Sequence, residues 1–209
     1  MTQQYRATTM ATKGMVTTPH YLASQAALAI LHKGGNAIEA AIAAASTIAV
    51  VYPHMNSIGG DNFWLVYNAK TKEVKALNSS GRAGHKATID FYKEQGYSKI
   101  PARGPLAANT VPGAVAGWGA AYDYATAEME SKLQWKELLE HAICYAKEGF
   151  PVTASQEYWT NVNLDETDQE FRALQRFGEF ARIFLKDGKP YQEGDILKQQ
   201  DLGDTLAYI

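Results

Sequence analysis

The stretch that decides the fold runs from Gly34 to Tyr67 and reads GGNAIEAAIAAASTIAVVYPHMNSIGGDNFWLVY. Its first glycine pair can supply the left-handed backbone that ends a preceding helix, and Asn36 is a suitable N-cap for the next one. That next helix, residues 37–51, is alanine or branched aliphatic almost throughout, and Glu39 is its one charged residue. A helix that is apolar all round is buried on more than one side, so we predict an internal helix. A second glycine pair then leads into a strand.

Apolar patterns on either side of this stretch predict further elements. Met15–Thr17 is expected to be a short strand. Pro19 is expected at the first helical position after Thr18 as the N-cap, and the helix is then expected to run from His20 to about Lys33. A hairpin is predicted from strands 63–67 and 74–77. Further helices are predicted over residues 88–95, 114–125 and 135–147. Two more are expected within residues 152–184, and one begins after Asp201.

The composition is that of an ordinary folded domain. The chain has 209 residues, a formal net charge of -2 with mixed signs, and one cysteine, Cys144. This charge balance gives no reason to expect nucleic acid as a partner, and a single cysteine excludes an intrachain disulfide. No linker, repeat or low-complexity tract divides the sequence. We therefore treat residues 1–209 as one domain.

Membrane insertion and export are not predicted either. The apolar helix is short and is closely followed by Pro53, which argues against a membrane span. Residues 1–13 are polar and lack the apolar core of a secretory signal, so we expect a cytoplasmic protein.

Several motifs follow one another in an informative order. They are Gly14-Met15-Val16, Gly34-Gly35-Asn36-Ala37, Pro53 with Ile58-Gly59-Gly60, and Val111-Pro112-Gly113 before a small-residue helix. This order resembles the gamma-glutamyltranspeptidase family, and several ordered motifs are much stronger evidence than any single one. The resemblance implies an α+β fold: the N-terminal part of a four-layer αββα N-terminal-nucleophile hydrolase sandwich, helix-rich in this portion.

The chain resembles only the N-terminal part of the family's precursor, within the large subunit. Leu202, Leu206 and Ile209 fall at helical spacing, and no glycine or basic last turn closes this helix. We therefore expect residues 1–209 to be a single incomplete domain, either a fragment or one piece of a longer protein.

The family resemblance also implies a chemistry. Members cut themselves, and the new N-terminal threonine of the small subunit attacks a gamma-glutamyl amide without a cofactor. A threonine hydroxyl needs a base to accept its proton, and the freed α-amine can do so. In the family this threonine lies downstream of the matched region, so we expect no catalytic residue in this chain. The expected partners are the C-terminal small subunit and a small-molecule amide.

Arg82 is the candidate substrate-binding residue. In typical transpeptidases an arginine in Asp-x-Arg-Glu-x-Ala-Pro holds the glutamyl α-carboxylate, shortly before Lys-Ala-Thr. Here Lys86-Ala87-Thr88 is present, but Ser80 stands at the arginine's position, Arg82 follows two residues later, and the Glu-x-Ala-Pro context is missing. This departure points toward the divergent branch of oxamate amidohydrolases and cephalosporin acylases. The alternative interpretation of Arg82 is a solvated loop arginine.

Two threonines and one glutamate were weighed as further candidates. Thr17-Thr18 superficially resembles a cleavage site, but the capping pattern favours an N-cap threonine before a helix that starts with proline. Glu39 is either the buried partner of a cation or a residue that the helix dipole favours near the helix start, and we prefer the second.

Other polar groups carry weaker signals. His141 and Cys144 could meet on one helix, but nothing nearby completes a triad, so we expect an ordinary cysteine. His54, Asn56 and Asp61 match no standard ligand spacing, and we predict no metal site. Gly117-Trp118-Gly119 lacks the third glycine and preceding strand of a dinucleotide site.

A function from another class stays open beside the enzyme. The chain could be a naturally truncated, non-catalytic domain that binds a small carboxylate or a partner chain. A natural end would bury the Leu202, Leu206 and Ile209 face, whereas a broken end would leave an exposed apolar patch.

Overall fold

The computed structural model describes residues 8–167 and 173–209, which form eight α-helices and three small antiparallel sheets. A 3₁₀ turn, Leu174–Arg176, precedes the seventh helix. The helices are α1 Tyr21–His32, α2 Ala37–Val51, α3 Ile89–Glu94, α4 Ala114–Glu128, α5 Trp135–Glu148, α6 Ala154–Val162, α7 Gly178–Phe184 and α8 Gln200–Tyr208. The strands are β1 Asn62–Asn68, β2 Glu73–Ser79, β3 Phe150–Pro151, β4 Leu185–Lys186, β5 Lys189–Pro190 and β6 Ile196–Leu197.

Helix α2 is the internal helix that its sequence predicts. It packs between α1 and α5 and also contacts α4, and Ile42, Val50 and Val51 are fully buried. Gly34, at φ +89°, ends α1 after Lys33, and Asn36 caps α2 by accepting from the backbone N–H groups of residues 38 and 39. The prediction of an internal helix, buried on more than one side, is confirmed.

The start of α1 differs from the prediction. The N-cap is His20, whose Nδ1 accepts from the Leu22 N–H over 3.2 Å, and the helix begins at Tyr21. The predicted cap, Thr18, instead donates its hydroxyl to the His20 carbonyl over 2.6 Å. The helix therefore starts two residues later than Pro19 suggested, because a buried imidazole provides the cap.

The predicted strand Met15–Thr17 does not form. These residues have neither helix nor strand geometry, and in the described chain no neighbouring strand pairs with them. A strand needs a hydrogen-bonded partner, which local β propensity alone cannot supply.

The hairpin of β1 and β2 is confirmed and is slightly longer than predicted. Its register pairs Asn62 with Ser79 and Asn68 with Glu73. Burial alternates along β1, so that Trp64 and Val66 face the helices. The opposite face carries large exposed apolar side chains, namely Phe63, Leu65, Tyr67 and Val74.

The later helices mostly follow their predictions. Helices α3, α4 and α5 lie where the patterns place them, with Thr88 as the N-cap of α3 and Gly149 after α5. Within 152–184 the structure describes α6 and α7, and residues 168–172 of that prediction lie outside the described part.

The predicted C-terminal helix also forms, as α8, and it packs on α5. Leu206 is buried and Leu202 is half-buried, whereas Ile209 remains 39% exposed. The Trp135 indole N–H donates to the Ile209 carbonyl over 3.0 Å. The predicted apolar face is thus buried for the most part against the helical core.

Candidate functional site

The loop that follows β2 is tied to two other segments of the chain. Its Gly81 N–H donates to Asp61 Oδ1 over 2.9 Å, and the Arg82 carbonyl accepts from the Val111 N–H over 2.9 Å. The turn before β1 and the segment before α4 therefore meet this loop at one place. We call this place the three-loop junction, and it comprises residues 59–61, 79–84 and 109–114.

Glycines allow the backbones of the junction to approach so closely. A Cβ at Gly81 would overlap the Val111 carbonyl oxygen, and a Cβ at Gly113 would overlap the Ser79 carbonyl oxygen. The Ser79 hydroxyl also donates to the Gly113 carbonyl over 2.7 Å. Because real Cβ atoms do not tolerate such contacts, this arrangement requires glycine at both positions.

The second glycine pair of the deciding stretch caps α4. The Gly60 carbonyl accepts from the Gly113 N–H over 3.0 Å and from the Ala114 N–H over 2.9 Å. These are N–H groups at the start of a helix, which have no partner within it. The turn before β1 is thus bonded both to the Arg82 loop, through Asp61, and to the helix that begins at the junction.

Arg82 combines an anchored backbone with an exposed side chain. Its residue is exposed, and within residues 8–167 and 173–209 its guanidinium has no hydrogen-bond or ion-pair partner. Ser80, which occupies the position of the typical family arginine, is exposed beside it and donates its N–H to Asn78 Oδ1 over 2.9 Å. The structure therefore leaves five guanidinium N–H groups directed to solvent from a fixed loop.

The residues weighed as a metal site do not come together. His54 Nε2 lies 3.1 Å from Ser155 Oγ, whereas Asp61 bonds to Gly81, and Asn56 is exposed. Among the described residues, no group of three or more His, Cys, Asp or Glu side chains is placed to hold a metal ion. Asp61 has a structural partner that the sequence analysis missed, although its place directly after a glycine pair was a usable signal.

Two histidines and a tyrosine form a partly buried ring cluster beside α1. The rings of His20 and Tyr52 are 6.2 Å apart, and those of Tyr52 and His54 are 4.2 Å apart. Burial lowers the pKa of His20, and burial followed by repulsion from His20 lowers the pKa of His54. Both imidazoles are therefore stabilised in their neutral forms, which suits a capping acceptor better than a cation.

Thr17 and Thr18 show no arrangement for nucleophilic attack. Thr17 is exposed, and the Thr18 hydroxyl lies 2.7 Å from Ser24 Oγ while it donates to the His20 carbonyl. The prediction that Thr18 is the N-cap of α1 is wrong, because His20 caps the helix and the Thr18 hydroxyl bonds to the His20 carbonyl instead.

Glu39 lies in the first turn of α2, as the preferred interpretation placed it, and it also has hydrogen-bond partners that the sequence did not indicate. Its carboxylate closes a capping box with Asn36 and also accepts from the Ser131 hydroxyl and from the N–H groups of Lys132 and Leu133, at 2.6–3.0 Å. Burial alone would raise the pKa of Glu39, but these hydrogen bonds outweigh it and lower the pKa. Glu39 is therefore a buried anion that neutral donors stabilise, and it ties α2 to the segment before α5.

Cys144 is an ordinary helix cysteine, as predicted. It lies on the exposed side of α5. Partial desolvation of its thiol, together with the carboxylates of Glu148 and Glu140, raises the pKa of that thiol. A reactive cysteine needs the opposite shift. The ring of His141 stacks toward Tyr145 at 6.4 Å, and no described contact joins it to Cys144.

Three comparisons place this geometry among known proteins. The sequence profile described as gamma-glutamyltranspeptidase matches residues 23–209. The chain belongs to this family. The gamma-glutamyltranspeptidase of Helicobacter pylori superposes with a TM-score of 0.79 at 31% identity, covering 96% of this chain and 54% of that one. The predicted fold, the N-terminal part of an N-terminal-nucleophile hydrolase sandwich, is therefore confirmed.

Relatives in the predicted divergent branch are also found. The glutathione hydrolase-like YwrD proenzyme of Bacillus subtilis is 44% identical over 95% of this chain, and the oxamate amidohydrolase proenzyme of Klebsiella pneumoniae is 44% identical over 96% of it. The cephalosporin acylase of Bacillus halodurans superposes with a TM-score of 0.78 at 35% identity, covering 90% of this chain and 34% of that one. The chain spans 35% and 36% of the lengths of the first two relatives, about a third.

Within the described residues, none of the helices combines the length and apolar character that crossing a bilayer would require.

Proposed function

We propose that the chain is the N-terminal part of a gamma-glutamyltranspeptidase-family amidohydrolase or acylase in which Arg82 binds the carboxylate of a small amide substrate. The proposal rests on a contrast between the backbone and the side chain of Arg82. The Arg82 backbone is held in the three-loop junction, while its guanidinium is exposed and unpaired among the described residues. A planar fork of donors on a fixed loop suits bidentate binding of a carboxylate.

The nucleophile of the proposed reaction lies outside this chain. The nucleophile would be the hydroxyl of an N-terminal threonine that processing of the longer protein exposes. The neutral α-amino group of the same threonine would accept its proton. Thr17 and Thr18 have no activating base among their described contacts, and the pKa of the Cys144 thiol is raised by burial and by Glu148 and Glu140, which supports a downstream position. The chain alone is then expected to be inactive, and the reaction to be hydrolysis of the amide or transfer of its acyl group.

The exposed face of the β1–β2 hairpin supports a partner that completes the fold. Phe63, Leu65, Tyr67 and Val74 are each at least 60% exposed on one side of a two-stranded sheet. Isolated two-stranded sheets are marginally stable in water, and an apolar patch of this kind usually marks a contact surface. We propose that the C-terminal part of the family-length protein, including the small subunit, covers this face.

The proposed substrate is an amide with a carboxylate close to the scissile bond. Two relatives carry names that include oxamate amidohydrolase and glutathione hydrolase, and both substrates named there are carboxylates. The missing Glu-x-Ala-Pro context and the displaced arginine favour a substrate other than a gamma-glutamyl group. Oxamate is the first compound to assay, with L-glutamine as the gamma-glutamyl reference.

The first test is intact mass, by denaturing mass spectrometry of the natively expressed protein. A co-purifying second polypeptide that begins with threonine supports a processed enzyme. A single species that ends at Ile209, without partner or amidase activity, contradicts it and favours the non-catalytic binding domain.

The second test addresses Arg82 directly in the family-length protein. Arg82→Met should lower kcat/KM for the carboxylate amide by roughly 10- to 100-fold, since a charge-assisted pair contributes about 1.5–3 kcal/mol. Arg182→Met is the matched control, because Arg182 is an exposed arginine on α7 that pairs with Glu179 and Asp201. Equal activity of both variants would remove Arg82 from the substrate site.

A further inference from the structure

Asp61 is the side chain that fixes the loop carrying Arg82. Its Oδ1 accepts from the Gly81 N–H over 2.9 Å, one residue before Arg82. Among the described hydrogen bonds that involve a side chain, this is the bond that ties residues 80–84 to the turn before β1. We propose that Asp61 is a positioning residue for substrate-carboxylate recognition, and this inference rests on the proposed role of Arg82.

The alternative way to hold the loop would use backbone bonds alone. Backbone bonds do exist on the other side, where the Arg82 carbonyl accepts from the Val111 N–H and the Gly84 N–H donates to the Asn109 carbonyl over 2.9 Å. Those bonds fix the position of Arg82 relative to the segment before α4. They do not involve the Gly81 N–H, and Gly81 lacks the Cβ that restricts the backbone of other residues. The Asp61 carboxylate supplies the hydrogen-bond acceptor for that N–H.

The position of Asp61 also links the loop to the helix that begins at the junction. The preceding residue, Gly60, caps α4 through its carbonyl, and the following residue, Asn62, is the first residue of β1. A shift of the β1 strand therefore moves the acceptor of the Gly81 N–H and the cap of α4 together. The loop that carries Arg82 is therefore fixed relative to the β1–β2 hairpin, whose outer face is exposed.

The chemistry of the bond sets which substitutions keep it. Asparagine retains a side-chain carbonyl oxygen that can accept from Gly81, whereas alanine removes the acceptor. The bond is exposed, so its loss should act on the placement of the loop more than on global stability. Asp61→Asn is therefore the conservative variant and Asp61→Ala the disruptive one. Asp123→Ala serves as a control, because Asp123 is an exposed aspartate on α4 that has no hydrogen bond or ion pair with any of the described residues.

The test uses the processed family-length protein, with kcat and KM measured for the better substrate of oxamate and L-glutamine and for the neutral analogue oxamide. Asp61→Ala should raise KM for the carboxylate substrate about three- to ten-fold, with little change in kcat, because the lost bond contributes roughly 1 kcal/mol. Asp61→Asn should restore KM to within about two-fold, and KM for oxamide should not respond to either change. A purely structural role would instead lower the amount of folded enzyme and affect both substrates alike.

A double-mutant cycle separates this inference from the proposed function. In an Arg82→Met background, Asp61→Ala should have no further effect on KM, because the group that it positions is absent. If Arg82→Met itself has no effect, or neither carboxylate amide is hydrolysed, the proposed function fails and this inference fails with it. If Arg82→Met is damaging but Asp61→Ala matches the Asp123→Ala control, the inference about Asp61 alone is wrong.

Discussion

The helices around α2 and the hairpin of β1 and β2 differ in how completely their apolar side chains are buried. Both are built from apolar residues, but α2 is enclosed by α1, α4 and α5, whereas the hairpin is covered on one side only. Ile42 is fully buried, and Leu65 is 78% exposed. Most of the apolar surface of α2 is therefore buried, whereas one face of the hairpin is exposed. A chain spanning about a third of its relatives' length is consistent with this difference.

The largest expected effect on stability is at the buried helix α2. Ile42→Ala should lower the free energy of unfolding by about 2–5 kcal/mol, because it removes buried methyl groups and leaves a cavity that α1 and α5 can fill only in part. Urea unfolding of the 209-residue chain, followed by far-UV circular dichroism, measures the change. A loss below about 1 kcal/mol would mean that α2 is not tightly packed in the isolated chain.

The next effect tests the tie between α2 and the segment before α5. Glu39→Ala should cost about 3 kcal/mol, because the Ser131, Lys132 and Leu133 donors lose their acceptor and the N-cap loses its box. The folded pKa of Glu39 is lowered from its ordinary value of 4.5, so its contribution is present above that pH and is lost as the pH falls through the folded pKa. Unfolding at pH 7 and pH 3 should therefore show a smaller difference between wild type and variant at pH 3.

A smaller effect concerns the histidine that caps α1. The folded pKa of His20 is lowered, so its stabilising contribution is complete above the ordinary value of 6.5 and falls as the pH drops toward the folded pKa. His20→Asn keeps a capping acceptor and removes the titratable imidazole, so it should weaken the dependence of the free energy of unfolding on pH between pH 8 and pH 5. Thermal unfolding at both pH values, with His85→Asn as an exposed-histidine control, provides the measurement. Identical pH dependence in wild type and His20→Asn would assign the effect to other groups.

The smallest effect on the isolated chain is expected on the hairpin face. Leu65→Thr should change the free energy of unfolding by less than about 0.5 kcal/mol, since the side chain is mostly exposed and threonine suits a strand. In the family-length protein the same change should reduce the yield of processed enzyme, because the proposed contact surface is altered. Equal processing of wild type and variant would contradict the proposal that another part of the protein covers the hairpin face.

Local patterns were sufficient for most of the secondary structure. Asn36 and Gly34 mark the α1–α2 connection, and the alternation in β1 marks the hairpin, because caps and strand periods depend on near neighbours in sequence. The cap of α1 was mispredicted for the opposite reason. His20 caps the helix with a buried ring that burial stabilises in its neutral form, and Tyr52, whose ring lies 6.2 Å from it, is more than thirty residues away in sequence.

The candidate site divides in the same way. The sequence indicated Arg82 through its place before Lys86-Ala87-Thr88, and that residue remains a prediction. The roles of Asp61, Gly81 and Gly113 were not foreseen, because each depends on contact between segments that are 20 or more residues apart. The neutral donors around Glu39 were missed for the same reason.

By itself, then, the sequence determined the family, the buried character of α2, the hairpin and its turn-rich loops. These features follow from residue order, periodicity and the backbone freedom of glycine, all of which act over a few residues. Only the tertiary structure decided which carboxylate holds the Arg82 loop, which ring caps α1 and which hairpin face stays open. Those outcomes depend on distances between segments remote in sequence, and they are fixed by packing and hydrogen bonding across the whole fold.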